Sequence, residues 1–274
     1  MTSYYSSSAP WHSYRSSIKS VTIGSGVTSI GSNAFSGRSE LNSITIPDSV
    51  TSIGDYAFCC CSHLRGTFTI PDSVTYIGEM AFCGCSRLTS FIVSGNSGYK
   101  SIDGIIYVDK GKTLLLCPGG KTGSITIPDS VTAICLWAFY GCSGLTSVTI
   151  PGSVTSICEM AFYSCSGLTS VTYTGVTEPS FGEKVFDNCP QLTEVSVPYN
   201  YKGSSFCGLS INRMPEPKGK GISNTALIAS IVSVAAAVVI AAVTALTCYF
   251  KNSSSFPFLR KSGQKVSADV EPKV

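Results

Sequence analysis

The sequence predicts a solenoid of short parallel strands joined by irregular or helical outer turns, followed by one transmembrane helix and a short polar tail. Three observations carry this expectation. A block of about two dozen residues recurs in phase along most of the chain. Apolar positions inside the block alternate as they do in a half-buried strand. A run without a single charged residue, 221–250, follows the last copy.

The clearest copy is Ile46-Pro47-Asp48-Ser49-Val50-Thr51-Ser52-Ile53-Gly54, closed by Ala57-Phe58. It returns at 70–78 with Ala81-Phe82, at 127–135 with Ala138-Phe139 and at 150–158 with Ala161-Phe162. Degenerate copies stand at 23–31 with Ala34-Phe35 and at 173–182 with Val185-Phe186. Successive Phe residues fall 23, 24, 57, 23 and 24 positions apart, so one interval holds an insertion. Behind each Phe from the second copy on come a Cys and a Leu: Cys61 and Leu64, Cys85 and Leu88, Cys142 and Leu145, Cys165 and Leu168, Cys189 and Leu192. A strand follows at once, as in Leu145-Thr146-Ser147-Val148-Thr149-Ile150. There Leu145, Val148 and Ile150 point inward and Ser147 and Thr149 outward. Pro151 ends that strand because it has no ladder donor. Val154 and Ile157 then send a second apolar edge inward, and Phe162 fills the core from the outer side. One copy cannot cover its own apolar face, so the copies must stack.

The pattern Leu-x-x-Ile-x-Ile-Pro-x-x-Val-x-x-Ile-Gly-x-x-Ala-Phe-x-x-Cys resembles the BspA-like class of leucine-rich repeats over roughly residues 20–198. The resemblance implies a leucine-rich-repeat solenoid. It also implies a place on the surface of mucosa-dwelling bacteria or parasitic protists, where such solenoids bind host proteins or other microbes. Ile102-Asp103-Gly104-Ile105-Ile106-Tyr107, then 113–117 and Pro118-Gly119-Gly120-Lys121, resemble the hairpin-like insert common in that family. Three features depart from the pattern. Arg38 takes the Cys column in the first copy, Thr67-Phe68 carries a one-residue insertion, and no capping module is recognisable before residue 20.

The expected organisation is a polar N-terminal segment (1–19), the repeats (20–198) with their insert at about 94–123, a juxtamembrane linker (199–221), the transmembrane helix (222–250) and a cytosolic tail (251–274). Residues 1–19 have no apolar run and do not read as a signal peptide. The stretch 226–250 would span about 37 Å as a helix, with Tyr249 and Phe250 as interfacial aromatics. Lys251, Arg260, Lys261 and Lys265 after the helix, against Arg213, Lys218 and Lys220 before it, favour a cytosolic C-terminus and repeats outside. Ala229, Ser233, Ala237, Ala241 and Ala245 form a small-residue stripe that could pair two helices in a homodimer. Cys248 is a candidate for acylation, and the one sequon, Asn252-Ser253-Ser254, lies beside the membrane.

Only 13% of residues are charged, the net charge is +3, and no basic stripe exists, which excludes nucleic acid as the expected partner. Thirteen cysteines invite a disulfide or metal reading. Cys61, Cys85, Cys142, Cys165 and Cys189 read instead as a buried ladder of small thiols, and Cys135 and Cys158 stand where other copies carry Gly. Cys59, Cys60 and Cys83 lie outside these columns, and their pairing in an oxidising compartment stays open. Gly119-Gly120-Lys121-Thr122 has the tail of a phosphate-binding loop, but Leu115 stands where its first Gly belongs and a strand follows, so it reads as a turn. Asp48, Asp72 and Asp129 are turn residues after Pro. His12 and His63 have no nucleophile or carboxylate in a recognisable motif, so neither an enzyme nor a cofactor or metal is expected.

The outward strand positions form the expected ligand face: Thr45, Thr69, Ser90, Ser147, Thr149, Ser170, Thr172, Glu194 and Ser196. Six turns at the usual strand spacing would give a hydroxyl-rich concave platform roughly 30 Å long. Such a face suits shallow contact with an extracellular protein or glycan, although Ser and Thr also simply solvate strands. The function read from the sequence is therefore adhesion or host interaction at the cell surface, through this face or the insert. A receptor-like protein signalling through tail-bound adaptors is the alternative, and a truncated relative with exposed core near Val21 and Ile23 is a third.

Overall fold

A computed structural model of the chain describes residues 11–14, 16–93, 95 and 98–217. The first compact unit of the chain ends at Glu216. Among the described residues no helix is long and apolar enough to cross a membrane. The expected span 222–250, its small-residue stripe and the tail lie outside the described residues.

Each copy contributes a strand to one row and a shorter strand to a second. The first row holds β1 (Ser20–Thr22), β3 (Ser43–Thr45), β5 (Arg65–Ile70), β7 (Arg87–Val93), β11 (Gly123–Thr126), β13 (Leu145–Ile150), β15 (Ser170–Tyr173), β17 (Glu194–Val197) and β18 (Ser210–Arg213). The second holds β2 (Ser29–Ile30), β4 (Ser52–Ile53), β6 (Tyr76–Ile77), β12 (Ala133–Ile134), β14 (Ser156–Ile157) and β16 (Ser180–Phe181). Pairing within the rows is parallel and keeps like over like: Val148 faces Val171, Val171 faces Val195, and Ile30 faces Ile53. The alternation read from the sequence is the one observed. Leu145, Val148 and Ile150 are fully buried, while Ser147 and Thr149 are half-buried on the other side.

Between the rows, the Pro-Asp-Ser-Val segments are tight turns. The Val50 N–H donates to the Pro47 carbonyl at 3.1 Å, and Val74, Val131 and Val154 repeat the bond in their copies. The Ser hydroxyls reach back one copy, Ser49 to the Val27 carbonyl (2.8 Å), Ser73 to Val50 (2.6 Å) and Ser153 to Val131 (2.7 Å). This satisfies carbonyls that a turn would otherwise orphan.

The outer turns carry a second ladder. N–H groups of Asn33, Phe35 and Gly37 donate to the carbonyls of Asp55, Ala57 and Cys59. Tyr56, Phe58 and Cys60 donate to Glu79, Ala81 and Cys83, and Met160, Phe162 and Ser164 to Glu183, Val185 and Asp187, all at 2.7–2.9 Å. Two left-handed residues per turn aim these groups, such as Tyr56 (φ 55°) with Cys60 (φ 60°) and Met160 (φ 53°) with Ser164 (φ 59°). Behind the ladder the Phe rings stack copy on copy, Phe35 on Phe58 at 5.5 Å, Phe58 on Phe82 at 5.2 Å, and Phe139 on Phe162 at 4.5 Å.

The insert is more than a hairpin. β8 (Lys100–Ile102) and β9 (Ile105–Val108) pair antiparallel around Asp103-Gly104, both left-handed as a two-residue hairpin turn requires. β10 (Thr113–Leu116) then pairs antiparallel with β9 and parallel with β12, so it joins the second row. The first row is interrupted here, and the buried residues divide into two clusters, one reaching to Phe91 with Ile106 and the other from Ile105 to Phe206.

Both ends differ from the sequence expectation. Trp11 does the work of the missing cap: its ring stacks on Phe35 at 5.6 Å and its Nε1 donates to the Ala34 carbonyl at 2.7 Å. Ile23 is buried and Val21 half-buried, so the exposed core anticipated there is not found. At the other end, β18 pairs with β17 and Phe206 is wholly buried inside the stretch expected to be a linker from residue 199. That stretch lacks the Ala-Phe signature because it closes the stack instead of continuing it. Removing the stacked indole uncovers Phe35, so Trp11→Ala is expected to cost about 2–3 kcal/mol in denaturant unfolding. A change below about 0.5 kcal/mol would show that Trp11 caps nothing.

Candidate ligand-binding face

The first-row register decides which of the expected face residues come together. In the five-stranded sheet, Ser124, Ser147 and Ser170 form one outward column, which Glu194 and Ser210 continue. Thr126, Thr149, Thr172, Ser196 and Asn212 form the next. Six of the nine expected residues thus share one sheet: Ser147, Thr149, Ser170, Thr172, Glu194 and Ser196. The other three do not join it. Thr45 lies beside Thr22 in the β1–β3 pair, and Thr69 and Ser90 lie in the β5–β7 pair, where Thr69 faces exposed Ile92 and Ser90 faces Thr67. The platform is therefore broken, and its continuous part of five strands is roughly 20 Å across. Ser124, Thr126, Ser210 and Asn212 are absent from the sequence expectation although all four lie in these columns. The first pair sits at the exit of the insert, and the second pair in the closing segment.

The two hydroxyl populations behave differently. Among the described residues, those of Ser147, Thr149, Ser170, Thr172 and Ser196 make no hydrogen bond to the protein, whereas the turn serines do. Glu194 Oε1 accepts from Asn212 Nδ2 at 3.1 Å, which fixes the one carboxylate of the columns.

Where the first row breaks, between β7 and β11, the face opens into a depression of about 490 Å³. Ser90, Ser124 and Thr126 line its walls and Asp103 and Lys121 its rim. Lys121 Nζ donates to the Asp103 carbonyl, which ties the hairpin turn to the end of the insert. A side chain at Gly104 would place its Cβ 2.5 Å from Ser90 Oγ, so glycine is what lets the hairpin close on the sheet. Burial pushes the Tyr107 hydroxyl at the floor well above the ordinary tyrosine range, aided by Cys117 and Asp103, so it stays a neutral phenol.

The cysteine ladder is packed as a ladder. Cys61, Cys85, Cys165 and Cys189 are buried, and each Sγ points at the Phe carbonyl of the copy before, at 3.1–3.2 Å. Cys142 follows the insert and turns instead to the Pro118 carbonyl at 3.7 Å. Burial raises the Cys61 thiol to about 12, Cys85 is raised well above its ordinary value for the same reason, and Cys135 is raised to about 11. The off-column thiols meet on the outer turns: Cys83 Sγ lies 2.6 Å from Cys59 Sγ, and Cys59 3.5 Å from Cys60. The hydrogen bond to Cys83, then burial, raises Cys59. Asp48, Asp72 and Asp129 stay one per turn, and among the described residues no group of three metal-ligating side chains is gathered.

Parallel strand rows stacked copy on copy, with a hydroxyl-bearing outer surface and buried Leu, Ile and Phe columns, define a leucine-rich-repeat solenoid, a scaffold whose extended face typically binds. The family model for the BspA type leucine rich repeat region matches in six copies, over residues 12–105 and 119–227, and the chain belongs to this family. A leucine rich cell surface protein of Faecalibacterium prausnitzii has a similar structure, with 28% identity, a TM-score of 0.56, and coverage of 73% of this chain and 61% of that one. The pneumococcal vaccine antigen PcpA shares the fold, with 20% identity, a TM-score of 0.56, and coverage of 72% and 55%. The chain thus spans little more than half the length of these two structures. No curated protein matches the chain.

Thiolate is the species that reacts, so raised thiols inside the ladder react slowly. At pH 8 a thiol reagent is expected to label exposed Cys60 first among the described cysteines. Cys61, Cys85, Cys142 and Cys165 should label only on unfolding, as read by peptide mass mapping. Equal labelling of Cys61 and Cys60 in the folded protein would contradict a packed ladder.

Proposed function

We propose that the protein is a cell-surface adhesion or host-interaction protein whose solenoid binds an extracellular protein or glycan on its first-row face. The observation that carries this reading is the polar depression between β7 and β11, continuous with two columns of hydroxyls that no protein group uses. Neutral hydroxyls with one ammonium, Lys121, and one carboxylate, Asp103, suit a glycan's ring of donors and acceptors. Membership of the family and the likeness to a leucine rich cell surface protein support the extracellular setting. In this reading the repeats stand outside, residues 222–250 anchor the chain, and 251–274 reach the cytosol. The stripe Ala229, Ser233, Ala237, Ala241 and Ala245 offers a helix face for a homodimer.

An arginine placed in the columns blocks the face without touching the core. Thr149→Arg with Thr172→Arg is expected to weaken binding to host-cell surfaces or arrayed glycans at least about tenfold while unfolding at an unchanged denaturant midpoint. Binding that survives the pair would remove the face from the mechanism. An N-terminal epitope tag on the whole chain should stain intact cells, and staining only after permeabilisation would sink the surface reading.

A further inference from the structure

The outer-turn ladder joins each copy to the next except at the insert. From the back strand to the Cys column an ordinary copy runs Ile134-Cys135-Leu136-Trp137-Ala138-Phe139-Tyr140-Gly141-Cys142. In the insert, Leu114 holds the place of Ile134 in the second row, yet Pro118 already offers its carbonyl to Cys142. The insert therefore has the strand and the inner corner of a copy but lacks the outer turn. Three donors on one side, the N–H groups of Met80, Phe82 and Gly84, have no following turn to meet and make no hydrogen bond within the protein. On the other side the Leu136 and Tyr140 carbonyls accept nothing, and Ala138 is taken by the Cys117 N–H at 2.7 Å. The Phe stack stops in the same place, since Phe82 turns edge-on to Phe68 and Phe91 instead of meeting Phe139. The gap is an open cleft of about 450 Å³ with a largely apolar lining that includes Met80, Phe82, Leu115, Leu116, Leu136 and Trp137.

We propose that this cleft is a second binding site, which takes an extended peptide segment of another protein in the place of the missing turn. A peptide laid between the two turns accepts from Met80, Phe82 and Gly84 with alternate carbonyls, as the 183–187 turn does from Met160, Phe162 and Ser164. Its own alternate N–H groups meet the Leu136 and Tyr140 carbonyls. This is strand-type addition to an open backbone edge, with affinity from main-chain bonds and choice from side-chain pockets. An aromatic or large aliphatic residue at its centre enters the apolar space beside Phe82 and Leu116. Charge selects the flank: Glu79 is the one charged residue of the lining, and Asp55 stands behind it, its carboxylate held by the Glu79 N–H at 2.9 Å. The segment is thus apolar and aromatic at its centre with a lysine or arginine before it. The cleft lies on the outer turns, away from the first-row hydroxyl columns, so it is independent of the glycan or protein face proposed above.

The test uses the full chain in detergent or nanodiscs and the synthetic peptide Gly-Lys-Met-Ala-Phe-Tyr-Gly, acetylated and amidated, read by hydrogen exchange at single-amide resolution. Exchange at Met80, Phe82 and Gly84 is expected to slow by roughly tenfold with millimolar peptide, and less when Glu replaces its Lys. Leu136→Trp, which narrows the cleft from a half-buried position, should abolish that protection while the stacked copies keep theirs. Exposed Glu79→Lys should reverse the preference between the two peptides. Protection confined to Lys184, Phe186 and Asn188, the open edge of the last turn, would overturn the proposal, as would protection that survives Leu136→Trp. Uptake of an apolar dye by the cleft with no peptide protection would assign the site to small apolar molecules and overturn it equally.

Discussion

Each copy of this repeat closes only one side of its outer turn, and the rest of the structure follows from that. A left-handed residue at either end of the turn aims three N–H groups along the stack, and only a turn one period further on can receive them. A buried donor or acceptor left alone costs about 1–3 kcal/mol, so a copy is stable only between neighbours. The same period sets the Phe rings about one strand spacing apart and lets each Cys thiol reach the Phe carbonyl behind it. Hydrogen bonds, rings and thiols are thus three readings of a single translation.

The first copy shows what happens where that translation has no predecessor. Carbonyls of its turn would face water, and two side chains foreign to the repeat answer them. Trp11 takes Ala34, and Arg38, which stands in the Cys column, donates Nη1 to Ser36 at 2.8 Å. A thiol at position 38 would have no Phe carbonyl before it to reach. The departure from the motif is therefore part of the cap, and the long buried stem of Arg38 fills volume at the end of the stack. In the sequence the same residue reads as a defect, because a column shows what a position usually holds and not what its neighbour lacks.

Much of the fold was legible for the reason that made the repeat visible. Columns such as Val148, Val171 and Val195 are buried in register because their chemistry recurs at the period of the stack. What was not legible is whatever happens once. β10 carries Thr113-Leu114-Leu115-Leu116, an apolar run with no alternation to tell a hairpin strand from a row strand, and only its pairing with β12 decides. Phe206 closes the stack without the Ala before it that marks the other rings, and Trp11 stands in a polar stretch with nothing periodic about it. The candidate face was legible residue by residue but not in its continuity. At the break between β7 and β11 the Gly120 N–H donates to the Leu88 carbonyl at 2.8 Å, a contact that no spacing rule announces.

Composition alone does not single out the candidate face, since Ser and Thr are spread over every part of the repeat. Hydrogen bonding separates them. Ser49, Ser73 and Ser153 each donate to a carbonyl one copy back, and Thr51, Thr75 and Thr155 do the same at 3.1–3.3 Å, so their hydroxyls belong to the scaffold. Replacing them would disturb stacking before it disturbed recognition. Thr149 and Thr172 sit at neighbouring rungs, half-exposed and with no protein partner, on strands whose opposite faces are fully buried. A rigid strand holds such a hydroxyl in one place at no further entropic cost when a ligand arrives. That is the physical difference between a hydroxyl that holds the scaffold together and one left free to meet a ligand, and it sets the columns apart from the turns.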